Sequence, residues 1–274
     1  MPMRLVDPAT AKPLVMGILN ITPDSFSDGG RLTSIDQVDE LAVRMIADGA
    51  DLVDIGGEST RPFSEAVPAD VELARVLPAI GSIRKRSSIP ISIDTTKADV
   101  AREALAAGAN IINDISALRF DPEMVAVARE CNCPVIIMHM QGNPKNMQVA
   151  PRYDDVVAET LAFLRERIGW LRGHGLTAQI IVDPGIGFGK TVAHNLSLLK
   201  HLAELKKLSC PILIGHSRKS FIGKLLDLPV DRRDEATAVL SAYCAYQGAN
   251  ILRVHDVRRT VQAVKLMEQL QLAN

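Results

Sequence analysis

Hydrophobic positions follow two alternating patterns along the chain: short continuous runs, and longer stretches in which apolar residues recur every three or four positions. The short runs are rich in isoleucine and valine, and most of them end at a polar residue or a glycine. Such runs are typical of parallel strands that are buried on both faces. They predict strands over residues 14–20, 52–56, 89–95, 110–115, 134–139, 179–183, 211–215 and 250–255.

The longer stretches have the periodicity of amphipathic helices, with one apolar and one polar face. Three of them end in glycine followed by alanine, shortly before a predicted strand, at Gly49, Gly108 and Gly248. Glycine at this place predicts a left-handed cap that turns the chain back toward the sheet. The predicted helices cover residues 35–48, 99–107, 124–130, 156–172, 196–207, 235–247 and 257–270.

About eight strand-then-helix units follow one another without a change of composition. This repetition predicts an α/β fold in which residues 1–274 form one domain, a single (β/α)8 TIM barrel. The length agrees, because about 250 residues are typical of that fold. A doubly wound open sheet is the alternative. The glycine-rich dinucleotide fingerprint that normally follows the first strand of such a sheet is missing.

Charge and composition narrow the class of partners. Lysine and arginine number 31, and aspartate and glutamate 32, which gives a formal net charge of −1. We therefore expect no nucleic-acid partner and only local recognition of anions. Apolar runs of the length that spans a bilayer do not occur, so we expect no membrane partner. The first residues do not resemble a signal peptide, which favours a cytoplasmic location.

Four cysteines are too few and too scattered to predict a disulfide framework in a chain of 274 residues. A zinc site normally needs more ligands at closer spacing. We therefore interpret them as small buried apolar residues or unreactive thiols. They are Cys131, Cys133, Cys210 and Cys244.

Polar residues gather where the predicted strands end. In a barrel of this type, the active site is built at the C-terminal ends of the strands and in the loops that follow. A single aspartate or asparagine there is ordinarily a turn or helix-cap residue. Polar side chains at all eight strand ends are better explained by an active site. These side chains include Asn20, Glu58, Asp94, Asn113, His139, Asp183, Ser217 and Arg253.

Two kinds of chemistry can be separated at this predicted barrel mouth. Arginine forks and a lysine charge suit a phosphate or pyrophosphate group. Carboxylates and an amide suit the N–H and NH₂ edge of a flat, nitrogen-rich heterocycle. The predicted anion-binding residues are Arg61, Arg218, Lys219, Arg253 and His255, and the predicted heterocycle-binding residues are Asp94, Asn113 and Asp183.

Other residues leave alternatives open. Asn20 offers a neutral oxygen compatible with a Mg²⁺ ion that is held mainly by substrate phosphates and water. Asp54 is either a substrate ligand or a member of a buried ion pair near Glu58 and Arg61. His139 is better interpreted as a hydrogen-bonded core histidine. Residues 185–190 look like a phosphate loop, but the segment is one residue too short for the nucleotide-triphosphate motif.

Five motifs, in register over almost the whole chain, resemble those of the bacterial dihydropteroate synthase family. The match begins near Val15 and reaches the last helix. The motifs are GILNITPDSFSDGG at 17–30, GGESTRP at 56–62, DPGIGFGK at 183–190, SRKS at 217–220 and RVHD at 253–256.

This resemblance implies a transferase that joins 6-hydroxymethyl-7,8-dihydropterin pyrophosphate to p-aminobenzoate. The products are pyrophosphate and 7,8-dihydropteroate, an intermediate of folate biosynthesis. The family is commonly dimeric, which implies a homodimer, and its p-aminobenzoate site is where sulfonamides compete. The apolar residues of the last two helices suit either a dimer interface or ordinary core: Val239, Leu240, Tyr243, Val261, Val264, Leu266 and Met267.

Residue roles follow from the motifs that match the family. Asp94, Asn113, Asp183 and Lys219 would hold the pterin. Asn20, Arg253 and His255 would bind the pyrophosphate, with Mg²⁺ beside Asn20. Thr60 and Arg61, on a mobile loop, would help close over substrate, and Phe188 and Ser217 would receive p-aminobenzoate.

The mechanism implied by the resemblance is SN1-like. The pyrophosphate-bearing carbon of the pterin substrate ionises, and the aniline nitrogen of p-aminobenzoate then attacks it. Charge stabilisation is then the main catalytic task. The expected catalytic residues are Asp94, Asp183, Lys219, Arg253 and His255.

Phe63 departs from the glycine expected in much of the family, which would change loop packing but not the chemistry. Two rival interpretations are a methyl-folate:corrinoid methyltransferase on a related barrel and a non-catalytic pterin-binding paralogue. The cluster of cations argues against the methyltransferase, which has no pyrophosphate to bind. A non-catalytic paralogue would be expected to have lost strand-end residues, and no such loss is visible.

Overall fold

The computed structural model describes residues 4–8, 12–21, 35–60 and 64–273. All eight predicted strands are confirmed, and the first two have the predicted bounds. The strands are β1 (Leu14–Asn20), β2 (Leu52–Gly56), β3 (Ile91–Asp94), β4 (Ile111–Asp114), β5 (Val135–Met138), β6 (Ile180–Asp183), β7 (Leu213–Ile214) and β8 (Ile251–Val254).

Helices follow the strands and surround the sheet. They are α1 (Ile35–Ala47), α2 (Ala69–Arg86), α3 (Ala98–Ala106), α4 (Met124–Cys131), α5 (Val156–Gly173), α6 (Val192–Lys200), α7 (Ser220–Leu226), α8 (Asp234–Gln247) and α9 (Val257–Leu272). Two 3₁₀ helices, Leu202–Leu208 and Val230–Arg232, lie between them. None of the helices in the described ranges combines the length and the apolar composition that crossing a bilayer requires.

The strands form one parallel sheet that curves into a barrel. Their order is β6-β5-β4-β3-β2-β1-β8-β7. A parallel bridge between Val182 and Ile212 joins the two outer strands. The predicted (β/α)8 TIM barrel is therefore confirmed. That residues 1–274 form one domain stays a prediction.

The helix predictions were less complete than the strand predictions. Helix α2 was not predicted from the sequence, because Pro78 and Gly81 interrupt its helical pattern. Val76, Ile80 and Ile83 nevertheless give it a buried face. The short α7 was also missed.

A single helix over 196–207 is wrong. The chain leaves the α-helical conformation at His201, whose imidazole Nδ1 lies 2.9 Å from the carbonyl oxygen of Ser197, and continues as a 3₁₀ helix. The three predicted glycine caps are confirmed, with φ of 98° at Gly49, 116° at Gly108 and 99° at Gly248.

Side-chain alternation along the strands divides the barrel interior into two layers. Successive side chains of a strand point to opposite faces, so residues two apart share a face. One apolar layer contains Met16, Leu52, Ile111, Ile136, Ile181, Leu213 and Ile251. Two positions further along five of these strands stand Asp54, Asn113, Met138, Asp183 and Arg253. The polar residues therefore lie inside the barrel, directly above an apolar floor.

The other end of the barrel is closed by the N-terminal segment. Val6 is 7% exposed and belongs to the inner apolar cluster, with Leu5 packed against it. The backbone N–H groups of Leu5 and Val6 donate to Gln179 Oε1 at 2.7 and 3.3 Å, and Gln179 Nε2 donates to the Val6 carbonyl at 2.5 Å. The floor is thus shielded from water on the side away from the polar layer.

Candidate active site

An arginine bound by two aspartates lies at the centre of the polar layer. Arg253 Nε lies 2.5 Å from Asp54 Oδ2, and Arg253 Nη2 lies 2.7 Å from Asp94 Oδ2. Asn113 Nδ2 donates to both oxygens of Asp54, at 3.3 and 3.2 Å. Strand register explains the grouping, because Asp94 pairs with Asn113 and Asp54 pairs with Ser92 of the same strand as Asp94.

These charges alter one another's proton affinity. Burial raises the pKa of Asp94 to about 7, and the negative charge of Asp54 adds to that effect, whereas Arg253 opposes it. Burial disfavours the charge of Arg253, but Asp54 and Asp94 together raise its pKa above the usual value. One guanidinium thus serves two carboxylates, and Asp54 is a buried ion-pair member. Its ionic partner among the described residues is Arg253, whereas Arg61, the cation considered from the sequence, lies outside them.

Asp183, Lys219 and Phe188 form the adjacent wall. The backbone N–H of Gly185 donates to Asp183 Oδ1 at 2.7 Å. Lys219 Nζ lies 4.0 Å from the centroid of the Phe188 ring, a distance at which a cation is attracted to an aromatic face. The structure therefore brings together residues that follow two different strands, β6 and β7.

Both ionisable groups of this wall are perturbed. Burial raises the pKa of Asp183 to about 6, although the Gly185 N–H and three nearby cations act in the opposite direction. Burial and then the charge of Arg253 lower the pKa of Lys219 to about 8, while Asp183 and Asp94 oppose this shift. Shifts of this kind cluster at functional sites.

Ser217 and His255 are bound to each other at the ends of β7 and β8. Ser217 Oγ lies 2.9 Å from His255 Nδ1 and accepts a hydrogen bond of 3.1 Å from the His255 backbone N–H. The serine therefore orients the histidine ring. This contact was not foreseen, since the family resemblance implied only a contact of Ser217 with p-aminobenzoate.

Arg218 does not take the place expected among the anion-binding cations. Its Nε and Nη2 atoms bind the two carboxylate oxygens of Asp234, each at 2.7 Å. Its backbone has a left-handed φ of 56°, and its carbonyl accepts from Arg233 Nη1 at 3.0 Å. The expectation from the sequence is wrong here, because a bidentate pair with α8 occupies the guanidinium.

We therefore expect Arg218→Ala to reduce stability while leaving substrate KM values within about twofold. Loss of one partner of a partly buried, bidentate ion pair should lower the free energy of unfolding by about 1–3 kcal/mol. Urea denaturation and steady-state kinetics measure the two effects. A tenfold rise in the KM of the pyrophosphate-bearing substrate would show that Arg218 does bind the anion.

Thr60 and Asn20 border the polar layer. A cleft of about 420 Å³ opens beside Asp94, and Thr60 lines it together with Lys97 and Asn143. Asn20 lies at the end of β1, half-buried and paired in register with Gly56. Arg61 and Phe63, the remaining predicted residues of the second loop, lie outside the described residues, as does most of the motif at 17–30.

An ion cluster at the base of the second loop was not predicted from the sequence. Lys97 Nζ binds Glu72 Oε2 at 2.6 Å and also binds Glu58. Glu72 is fully buried, and burial raises its pKa against the effect of Lys97. Glu72 was overlooked because α2 was not predicted. Its spacing of four from Val76 is the signal that would have placed it on the buried face.

A second missed feature is a buried lysine. Lys190, in the glycine-rich segment after β6, lies beside His139 at the end of β5, with Nζ 3.0 Å from His139 Nδ1. His139 is 6% exposed, and its ring also contacts Phe163 edge-on at 5.1 Å. The interpretation of His139 as a hydrogen-bonded core histidine is therefore confirmed.

The described residues also bear on the expected magnesium ion. In the described part of the chain, no group of three or more histidine, cysteine, aspartate or glutamate side chains is arranged to hold a metal. Mg²⁺ is often bound through one or two protein oxygens, with substrate phosphates and water completing the shell. A single neutral oxygen at Asn20 fits that mode of binding.

Comparisons with known proteins agree with this geometry. A family model described as "Pterin binding enzyme" matches residues 16–255. Over 258 residues, the chain is 48% identical to the dihydropteroate synthase of Synechocystis sp., covering 93% of this chain and 89% of that protein. Over 257 residues, it is 47% identical to the dihydropteroate synthase of Escherichia coli K12, covering 93% and 91%. This chain belongs to the dihydropteroate synthase family.

Solved dihydropteroate synthase structures extend the comparison to three dimensions. The Yersinia pestis enzyme in a sulfonamide drug complex matches with a TM-score of 0.93 and 44% identity, covering 99% of this chain and 97% of that one. The Xanthomonas albilineans enzyme in complex with 7,8-dihydropteroate gives 0.87 and 42%, covering 97% and 96%. The resemblance inferred from the motifs and the prediction of a transferase are therefore confirmed, and the rival corrinoid methyltransferase is not supported.

Proposed function

We propose that this chain condenses 6-hydroxymethyl-7,8-dihydropterin pyrophosphate with p-aminobenzoate, giving 7,8-dihydropteroate and pyrophosphate. The observation that carries the proposal is the set of buried side chains Asp94, Asn113 and Asp183 in the polar layer, with Lys219 and Arg253 beside them. The first three side chains offer hydrogen-bond acceptors for the donor edge of a heterocycle, and the two cations can bind an anion at the same barrel mouth. Membership of the dihydropteroate synthase family supports the same reaction.

The heterocycle is held by the acidic half of the site. Asp183 and Asp94 accept hydrogen bonds from the pterin, Asn113 both donates and accepts, and Lys219 donates to a ring carbonyl or nitrogen. When the bond between the pterin methylene carbon and the pyrophosphate breaks, positive charge develops on the pterin. Two buried carboxylates stabilise that charge more strongly than water would, because the surroundings are less polar.

The leaving group meets the basic half. The guanidinium of Arg253 carries five N–H donors, and its contacts with Asp54 and Asp94 use Nε and Nη2. Other N–H groups of this fork meet the pyrophosphate oxygens, and His255, oriented by Ser217, adds a further donor. A Mg²⁺ ion bound at Asn20 would neutralise part of the pyrophosphate charge. Neutralisation makes the pyrophosphate a better leaving group.

The second substrate is placed by the Phe188–Lys219 wall. The apolar ring of Phe188 packs against the aromatic ring of p-aminobenzoate, and Lys219 stands between it and the pterin. The aniline nitrogen then attacks the cationic carbon, forms the C–N bond and loses one proton to solvent. Ser217 lies near the carboxylate end of p-aminobenzoate. Sulfonamides, which share the aromatic amine, compete for this place.

Purified protein with both substrates and Mg²⁺ should release pyrophosphate and form 7,8-dihydropteroate in equal amounts. Addition of EDTA should reduce the rate by about tenfold or more, because the leaving group loses charge neutralisation. Product analysis with coupled pyrophosphate detection measures both. No product with Mg²⁺ present would overturn the assignment, whereas equal rates with Mg²⁺ and EDTA would overturn only the magnesium proposal.

Assembly and location belong to the same proposal. Val239 of α8 and Leu266 of α9 are 69% and 65% exposed, whereas Val264 is 2% exposed and belongs to the core. An apolar surface of this kind suits a symmetric interface, so we infer a homodimer, which sedimentation velocity tests.

The four cysteines are thiols. Thiols are the form that the cytoplasm maintains, so we infer a cytoplasmic location.

A further inference from the structure

A lysine that the mechanism does not use lies buried behind the Phe188–Lys219 wall. Lys190 is 4% exposed. Its Nζ lies 2.9 Å from the Phe188 carbonyl oxygen, 3.0 Å from His139 Nδ1 and 3.3 Å from the His139 carbonyl oxygen. Burial lowers the pKa of Lys190 to about 7, against the effect of Asp183. In its ammonium form the group has three N–H donors, and these three acceptors satisfy all of them. A buried cation is costly unless its donors are used in this way.

His139 is fixed as an acceptor for this lysine. Burial, followed by the charges of Lys190 and Arg119, lowers the pKa of His139 to about 3. The imidazole is therefore neutral at physiological pH, and because an ammonium can only donate, the contact with Lys190 requires the tautomer in which Nδ1 is the acceptor. Thr160 Oγ1 lies 3.4 Å from the same nitrogen, and the Phe163 ring packs against the imidazole. Thr160 and Phe163 thus hold the imidazole that accepts from Lys190.

The segment that carries Phe188 rests directly on the backbone at the end of β5. A Cβ atom at Gly185 would lie 1.9 Å from the His139 carbonyl oxygen, and one at Gly189 would lie 2.8 Å from the Gln141 carbonyl oxygen. Both glycines also have left-handed φ values, 72° and 59°. Lys190 is the side chain that bonds to both backbone segments, at His139 and at Phe188.

We propose that Lys190 is a positioning residue for the p-aminobenzoate subsite, acting through Phe188. By holding the Phe188 carbonyl against His139, it fixes the ring on which Lys219 rests at 4.0 Å. The inference rests on the proposed function, because it assigns the second substrate to this wall. Lys190 itself touches neither substrate, since its three donors are occupied within the protein.

Lys190→Met tests the inference, because methionine keeps most of the volume and removes all three donors. We expect the KM for p-aminobenzoate to rise about tenfold, as for the loss of one well-placed contact. The KM for the pterin pyrophosphate should change by less than about threefold. Lys207→Met is the matched control, since it removes an exposed lysine from the 3₁₀ helix after α6. A purely structural role would lower stability without separating the two KM values, and that result would overturn the proposal.

A double-mutant cycle with Phe188→Leu tests the route of the effect. If Lys190 acts through the Phe188 ring, the rise in the p-aminobenzoate KM should be largely absent when Lys190→Met is made in the Phe188→Leu background. Additive effects would show that Lys190 acts by another path. Lys190→Gln, which keeps a donor for the Phe188 carbonyl, replaces the methionine variant if that protein does not fold, and a smaller KM rise is expected. Wild-type turnover is measured in parallel, so a failure of the proposed reaction is recognised separately.

Discussion

Replacement of Lys219 by methionine is expected to lower kcat by about 10²–10³, the usual effect of removing one preorganised charged donor from an active site. Lys219 lies over the Phe188 ring and interacts electrostatically with Asp183, so in the proposed reaction it lies between the two substrates. Burial and Arg253 lower its pKa to about 8. The ammonium form is therefore lost as the pH rises through about 8, and wild-type kcat should fall on that side. The methionine variant should lack this alkaline decrease.

Pyrophosphate release measured between pH 6 and pH 10 gives both results. Lys224→Met is a suitable control, because Lys224 lies in α7, the short helix that Lys219 precedes, but is exposed to solvent. Near-normal turnover of Lys219→Met would mean that this lysine has been assigned to the wrong place in the reaction. Circular dichroism establishes that the variant is folded before its kinetics are interpreted.

Asp54→Ala is expected to destabilise the protein by about 3–5 kcal/mol, as for the removal of one partner from a buried ion pair. Asp54 is fully buried and binds Arg253 Nε at 2.5 Å. Without it, Arg253 retains only Asp94 as an ionic partner among these contacts, and Asn113 loses both of its acceptor oxygens.

Urea denaturation at pH 7 measures the loss. Asp99→Ala serves as the control, since Asp99 forms an ion pair with Arg102 on the surface of α3 and its side chain is 78% exposed. Such a pair contributes about 0–1 kcal/mol. An equal loss for the two variants would contradict a special role of the buried pair.

Strand β2 and its residue Asp54 show what could and could not be predicted from the sequence. Strand β2 was predicted with its observed bounds, because its run of apolar residues is local information. The pairing of Asp54 with Arg253 joins residues 199 positions apart. It depends on barrel closure, which brings β2 and β8 to the two sides of β1. The residue types were visible in the sequence, but the partners were not.

Arg218 was assigned from the sequence to a site that it does not occupy. Its position after β7 predicted a place at the barrel mouth, and the residue type suited an anion. The left-handed backbone at Arg218 and the carboxylate of Asp234 at the start of α8 place the guanidinium elsewhere. Neither feature leaves a periodic signal. Helix α2 was not predicted for a related reason. The low helix propensity of Pro78 is a local signal, whereas the helix is stabilised by tertiary packing.

The close approach of the Gly185–Gly189 segment to the end of β5 has a consequence for inhibitor resistance. A side chain at Gly185 or Gly189 would collide with backbone oxygens at 1.9 and 2.8 Å. Backbone atoms cannot move aside as the end of a flexible side chain can. An inhibitor that draws its affinity from the main chain of this segment would therefore contact a surface that point mutations can hardly reshape. An inhibitor that relies on contacts with exposed side chains could be evaded by many more single substitutions.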